Sequence, residues 1–406
     1  MTFFEELKWR GLIKDISSPE LEEKLNEGGL NFYIGTDPTA DSLHIGHYST
    51  FLIAKRLARA GHNPMLLVGM ATGLVGDPRG TTEREKVERS VIEANYVKLK
   101  KQVEDLFGMK VVNNYDWFSK MNYIDFLRDV GKYINVGYMI NKDLVKRQME
   151  SGISYAEFSY MLIQGFDFKY LHENYGVDLQ IGGSDQWGNL TTGIELIRKT
   201  SGDEVFAFSI PLVTDSNGKK FGKSEGNAIW LDKNKTSSYK LYQYLINLED
   251  VMMETYLKLF TFLDKKEIDS IMLEHNAKPE DRIAQKRLAK EIITDIHGVE
   301  EYNKAVKLSQ VLFTEEFSDL TASDIEEIFI GNEIINISNS NILDLLIELK
   351  AASSKREARE FVGNGAVKIN GIKVTDLDYV TTDNDFIGDY IIVKRGKKNY
   401  YVGKRS

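Results

Sequence analysis

Between residues 31 and 213, short apolar runs alternate with longer stretches in which apolar positions recur every three or four residues. The runs at 31–35, 64–69, 110–112, 177–182 and 206–213 predict strands, and their apolar residues are near-continuous rather than alternating. That pattern belongs to strands buried on both faces. The periodic stretches predict helices at 43–60, 81–107, 123–132, 142–150 and 184–198. Ser42 is placed to cap the first of these and Gly61 to stop it, and Ser184-Asp185 to open the last. Strands separated by helices imply an α/β fold, a doubly wound parallel sheet of Rossmann-like type.

The pattern changes after Ser237. Tyr239, Tyr242, Leu245 and Ile246 recur at helical spacing, as do Ile283, Leu288, Ile292 and Ile296, so an α-helical domain is expected to about residue 316. Residues 317–340, short in pattern and rich in Asn and Ser, read as a linker. Helical signals at 342–351 and 355–362 and strand signals at 367–369 and 390–394 make residues 341–406 a small α+β domain. Residues 1–225 are then the first domain and 226–316 the helical one.

With 406 residues the chain exceeds one ordinary core. It has no cysteine, which excludes disulfides, thiolate metal sites and a cysteine nucleophile. None of its six histidines lies in a His-Glu-x-x-His arrangement. The N-terminal residues lack the layout of a signal peptide. No apolar run reaches the roughly 20 residues of a membrane helix, so a cytoplasmic protein is expected. The net charge of −9 hides an asymmetry: residues 341–406 hold 12 basic and 9 acidic residues, against 40 and 52 before them. A basic end on an acidic body reads either as a contact for a polyanion or as a solvated tail.

Two short motifs carry phosphate chemistry. His44-Ile45-Gly46-His47 puts two imidazoles i and i+3 on the opening of a helix, where free N–H groups and the helix dipole favour an anion, directly after a strand and the loop Thr36-Asp37-Pro38-Thr39. Lys220-Phe221-Gly222-Lys223-Ser224 puts two ammonium groups on a glycine-containing loop. It is not a P-loop, which would need glycine at Asn217. Its lysines suit closure over a triphosphate and stabilisation of a departing pyrophosphate; read alone it is also an exposed basic turn. Between the two lies the segment 180–189, with Gly182-Gly183 at a strand end and Gln180, Asp185, Gln186 and Asn189 around it, the composition of a ligand crevice in an open α/β sheet.

These residues resemble the bacterial tyrosyl-tRNA synthetases, class I aminoacyl-tRNA synthetases, over essentially the whole chain. The resemblance rests on the run from Tyr33 to His47, on Gly73–Pro78, Asn113–Trp117 and Glu157–Tyr160, on the 180–189 segment, and on Lys220–Ser224. Ser354–Arg359 with Val367–Gly371 is similar to an S4-type RNA-binding module. The resemblance implies that tyrosine attacks the α-phosphorus of ATP, giving tyrosyl-adenylate and pyrophosphate, and that tyrosine then passes to the 3′-terminal adenosine of tRNA(Tyr). It assigns Thr39, His44, His47, Lys220 and Lys223 to the phosphates. Asp37, Gly46, Gly182, Gly183, Asp185, Gln186 and Ser224 complete the ATP site. Tyrosine falls to Tyr33 and Asp167 at the phenol and to Asp77, Tyr160, Gln164 and Gln180 at the amino end. RNA falls to Lys355, Arg356, Arg359, Lys394, Arg395, Lys397 and Lys398, and tRNA anticodon recognition to the helical domain. Mg2+ is expected with the nucleotide and no protein-held metal, and a homodimer is expected through residues 115–150, where Ile124, Phe126, Leu127 and Val130 fit an interface or an ordinary core.

One stretch departs from the family. After Gly76-Asp77-Pro78 its members usually carry Lys and then Arg on a loop; here Thr81 holds the Lys position, leaving Arg79, Arg84 or Lys86 as substitutes. Two other readings stand beside the first: a tryptophan-specific relative, disfavoured by Tyr33 and Asp167, and a non-catalytic RNA-binding paralogue, disfavoured by the intact histidine and lysine motifs.

Overall fold

The computed structural model describes residues 1–77, 87–149, 152–224, 227–330, 333–338, 341–396 and 399–405, with backbone only at Asp143, Leu144, Arg147, Lys223, Ser224, Asn227 and Phe313. The described chain forms two compact units, Met1–Thr236 with Leu248–Ile292, and Ser237–Asn247 with Ile293–Ser406.

The first unit is built on a six-stranded sheet. In chain order its strands are β1 (Asp15–Ile16), β2 (Asn31–Thr36), β3 (Asn63–Val68), β4 (Lys110–Val112), β5 (Leu179–Gly183) and β6 (Phe206–Ile210), arranged β1-β6-β5-β2-β3-β4. All neighbours are parallel except the short β1, which pairs antiparallel with β6 at the edge. Burial explains the apolar runs: all five residues of β6 are buried, as are Phe32, Tyr33 and Ile34 of β2 and Leu179, Gln180 and Ile181 of β5. The α/β fold expected from the pattern is therefore present. Strand order reverses between β2 and β5, and in open α/β sheets ligands bind where such a reversal occurs, beyond the carboxyl ends of the strands.

Most helices fall where their periodicity placed them, with shifted ends. The helix expected at 81–107 is described as Arg89–Phe107, and residues 81–86 lie outside the described residues. The helix after β5 starts at Trp187, because Ser184–Gln186 makes a 3-10 turn first. Of the apolar residues expected at an interface, Val130 belongs to the core and Phe126 packs partly buried against it. Ile124 and Leu127 are exposed.

In the second unit the helix Ser238–Ile246 packs on Val299–Thr314, with Tyr242 against Tyr302. Beyond the two-stranded hairpin β7 (Lys223–Ser224) and β8 (Asn227–Ala228) of the first unit, its sheet holds β9 (Ile334–Ile337), β10 (Val367–Ile369), β11 (Ile372–Val374), β12 (Tyr390–Arg395) and β13 (Asn399–Arg405), ordered β11-β10-β12-β13-β9. Residues 317–340, read as a linker, carry the helix Ala322–Ile328 and the strand β9 (Ile334–Ile337). β9 pairs in parallel with β13 (Asn399–Arg405). β9 is four residues long and flanked by polar residues, so local pattern could not distinguish it from a connection. Only its distant partner fixes it as a strand.

Candidate active site

The helix Ile45–Arg59 leaves β2 through the loop 37–44, and His44 is its N-cap. Ser42, expected to cap it, instead accepts a hydrogen bond from Gln102 Nε2 at 3.1 Å. His44 Nδ1 accepts from the N–H of Gly46 at 3.1 Å, and the N–H of His44 donates to His47 Nδ1 at 3.3 Å. The two rings stack with centroids 3.8 Å apart. Since both Nδ1 atoms accept, a neutral ring at either position carries its proton on Nε2. His47 is half-buried, and its pKa is pushed down to about 3, first by lost hydration and then by the charges of His44 and Lys220. At neutral pH His47 is thus a hydrogen-bond donor, not a cation.

The lysine motif meets this helix start directly. Residues 214–220 form a hairpin whose turn is held by Asp215, which accepts from the N–H groups of Asn217 and Lys219 at 2.9 and 2.8 Å. Beyond it, the Gly222 carbonyl accepts from Ile229 N–H at 2.9 Å, and the Ile229 carbonyl from Ile45 N–H at 2.8 Å. Gly222 has φ +87, and a Cβ there would lie 2.4 Å from Ile45 Cγ2 and 3.2 Å from Gly46 N. A Cβ on Gly46 would stand 3.3 Å from the Phe221 carbonyl oxygen. Both glycines are needed because two backbones touch there. Lys220 is exposed, and its charge reaches His47. Thr39 is exposed on the loop after β2.

Deeper along β2 and β5 several polar side chains are buried within the core. Tyr33 is 1% exposed, and its hydroxyl has no hydrogen-bond partner among the described residues. Burial raises its pKa well above the ordinary value, and the nearby Asp167 raises it further. Asp167 is fully buried on the helix Tyr155–Tyr175 and accepts from Trp117 Nε1 at 2.9 Å and Asn114 Nδ2 at 3.1 Å. Its burial raises the carboxyl pKa well above the usual range, against those two donors. Gln180 is buried, and its Oε1 likewise has no partner among the described residues. Unpaired buried acceptors and donors are costly, so these groups are suited to pairing with a polar ligand.

Nearer the nucleotide motifs, Tyr160 donates to Asp37 at 3.0 Å. Asp77 accepts from Gln186 Nε2 at 2.9 Å, and Asn189 Nδ2 donates to Gln164 Oε1 at 2.9 Å and Gln186 Oε1 at 2.8 Å. Asp77, Gln164, Gln186 and Asn189 are therefore one network, which orients all four amides and carboxylates. Gly182 and Gly183 end β5 half-buried, and Asp185 stands exposed after them.

Asn114 and Trp117 carry no role legible in the sequence, and Asn189, named in the crevice segment, carries no assigned contact there; no local signal says which polar atom each will meet. Other expected positions fall outside the description: Arg79, Thr81, Arg84, Lys86, Lys397 and Lys398, and the side chains of Lys223 and Ser224.

In the second unit Lys355, Arg356 and Arg359 are exposed on the helix Lys355–Gly363. Lys355 pairs with Asp344 at 2.6 Å. Lys394 is turned inward onto Glu315, and Arg395 donates to the Ala351 carbonyl while stacking over Phe361 and Tyr401.

Comparison with known proteins identifies the family. Residues 25–314 match the model of class I tRNA synthetases (W and Y), and residues 324–402 match the tyrosine--tRNA ligase SYY-like C-terminal domain. The tyrosine--tRNA ligase of Streptococcus agalactiae serotype V is 46% identical over an alignment of 415 residues, covering 99% of both chains. That of Streptococcus thermophilus is 47% identical over 415 residues, again with 99% of both chains covered. A C-terminally truncated mitochondrial tyrosyl-tRNA synthetase of Aspergillus nidulans superposes with a TM-score of 0.70 at 36% identity, covering 77% of this chain and 94% of its own. The chain belongs to the class I tRNA synthetases of the W and Y group, among the tyrosine--tRNA ligases.

Proposed function

We propose that the two motifs converge on one ATP molecule and that ligation proceeds without a protein nucleophile. Tyrosine lies with its phenol against Tyr33 and Asp167 and its amino group toward Asp77, Tyr160, Gln164 and Gln180. Gln186 and Asn189 hold Asp77 and Gln164 in place. ATP lies over Gly46, with Asp37, Gly182, Gly183, Asp185 and Gln186 along its nucleoside and Ser224 beside the lysine loop. Mg2+ enters with the phosphates of that substrate.

The tyrosine carboxylate oxygen attacks the α-phosphorus while the bond to the bridging oxygen of pyrophosphate breaks. Thr39, the Nε2–H groups of His44 and His47, and the ammonium groups of Lys220 and Lys223 take up the charge that develops on the phosphates. Catalysis of this kind works by positioning and electrostatic stabilisation. A ribose hydroxyl of the 3′-terminal adenosine of tRNA(Tyr) then attacks the acyl carbon and AMP departs. Arg356, Arg359 and Lys355 offer the RNA a basic helix face. The exposed Tyr123, Ile124 and Val136 suit a homodimer contact through residues 115–150.

The observation that carries this reading is the backbone contact between Gly46 and the 221–222 peptide, which joins the two motifs into one wall. ATP–pyrophosphate exchange, with each amino acid in turn, tests it. Exchange with tyrosine is expected. Exchange with tryptophan instead would assign a different specificity, and tRNA binding with no exchange at all would mark a binding protein.

A further inference from the structure

We propose that Phe221 is a positioning residue for adenylate formation: an aromatic socket on the helix Met253–Phe260 holds its ring, and so fixes the lysine loop above the histidine helix. This rests on the assignment of Lys220 and Lys223 to the triphosphate, and explains how so polar a loop is held there.

Residues 216–220 are exposed, yet Phe221 is 5% exposed. Its ring lies 4.7 Å from that of Tyr256 and 4.8 Å from that of Phe260, both buried. Tyr256 grips the same hairpin a second time, its hydroxyl donating to the Thr214 carbonyl at 3.0 Å. Thr214 bridges to Lys220, so the two grips lie on opposite strands of the hairpin. Phe260 also stacks on Tyr48 of the histidine helix, with centroids 6.3 Å apart and rings nearly parallel. One helix therefore touches both the lysine motif and the histidine helix.

The socket helix is itself anchored. Arg10 donates to the Lys258 and Leu263 carbonyls at 3.1 and 2.8 Å, and Arg56, from the histidine helix, donates to the Thr261 carbonyl. These carbonyls lie at the helix end, where backbone acceptors lack intrahelical partners and cations are favoured. Loop, socket and histidine helix are thus fastened in a closed circuit.

The test is the single-turnover rate of tyrosyl-adenylate formation, with tyrosine affinity measured alongside, in the full-length protein. Phe221→Leu is expected to slow adenylation about tenfold, the loss of roughly one aromatic pair, with tyrosine affinity unchanged. Tyr256→Phe keeps the ring but drops the Thr214 bond, and is expected to slow it about threefold. The effects of the pair should not multiply, because both act on one hairpin. Leu345→Ala, in the core of the second compact unit, should lower thermal stability and leave the rate alone. An unchanged rate in Phe221→Leu, an equal loss of rate and tyrosine affinity, or an equal slowing by Leu345→Ala would overturn the proposal. Lys220→Ala separates the two layers: if it leaves the rate intact, the nucleotide assignment fails, whereas if it slows the rate and Phe221→Leu does not, only the socket fails.

Discussion

Replacing Tyr33 by Phe tests the buried polar groups of the site at their most enclosed point. The hydroxyl is buried and has no partner among the described residues, so in the free protein it carries a desolvation penalty of about 1–3 kcal/mol with nothing to offset it. The ring itself is retained, 5.7 Å from Phe168. Tyr33→Phe should therefore leave the free protein as stable as before, or more stable by up to about 1 kcal/mol, in urea unfolding. If the substrate phenol pairs with that hydroxyl as proposed, binding tyrosine should reverse the balance. Losing one neutral hydrogen bond costs about 0.5–1.5 kcal/mol, or roughly a two- to twelvefold fall in kcat/KM for tyrosine. Phenylalanine has no phenol to pair, so its kcat/KM should stay level or rise, and discrimination should fall by at least the same factor. Pyrophosphate exchange with the two amino acids measures this. A variant clearly less stable than the parent, or an unaltered ratio between the two substrates, would refute the reasoning.

Further outcomes follow from the same geometry. Gly222→Ala adds a Cβ 2.4 Å from Ile45 Cγ2 at a left-handed backbone position, so it should slow pyrophosphate exchange at least tenfold without changing tyrosine affinity; a wild-type rate would show that the close approach is dispensable. The His47 pKa near 3 lies below its unfolded value of about 6.5, so its contribution to stability is intact above pH 6.5 and is lost as the pH falls toward 3, while the unfolded chain takes up the proton. Urea titrations at pH 7 and pH 5 should show wild type losing more stability than His47→Gln, and parallel losses would contradict this. Truncation after residue 318, ahead of β9 and its sheet, should spare adenylation and weaken tRNA charging, most visibly in moderate salt. Full charging by that truncated chain would remove the basic C-terminal helix from the RNA contacts.

The sequence made the sheet and the nucleotide motifs legible because both depend on local composition. Strands buried on two faces must be apolar throughout, and a phosphate site needs glycines and cations close together in the chain. What stayed hidden depends on partners far away. Ser42 looks like a cap, but an imidazole does that work, because His44 Nδ1 reaches the Gly46 amide and leaves Ser42 to Gln102. Trp117 and Asn114 declare no role until the helix Tyr155–Tyr175 brings Asp167 to them. Lys394 and Arg395 count as free positive charge in any composition argument, yet one is committed to Glu315 and the other to the Ala351 carbonyl. Residues 334–337 look like connecting chain until β13 pairs with them. In Phe221 the chain spends an apolar residue inside a cationic motif, which spacing alone cannot explain and a packed aromatic helix does.

The sharpest measurement of the central claim is the rapid-quench rate of tyrosyl-adenylate formation in His47→Ala, Lys220→Ala and the double variant. If both motifs act on one triphosphate, each change slows the step by on the order of 10²–10³ while tyrosine still binds normally, and the double variant falls short of the product of the two. Adenylate forming at the parental rate without either side chain would show that the helix and the loop do not share a nucleotide.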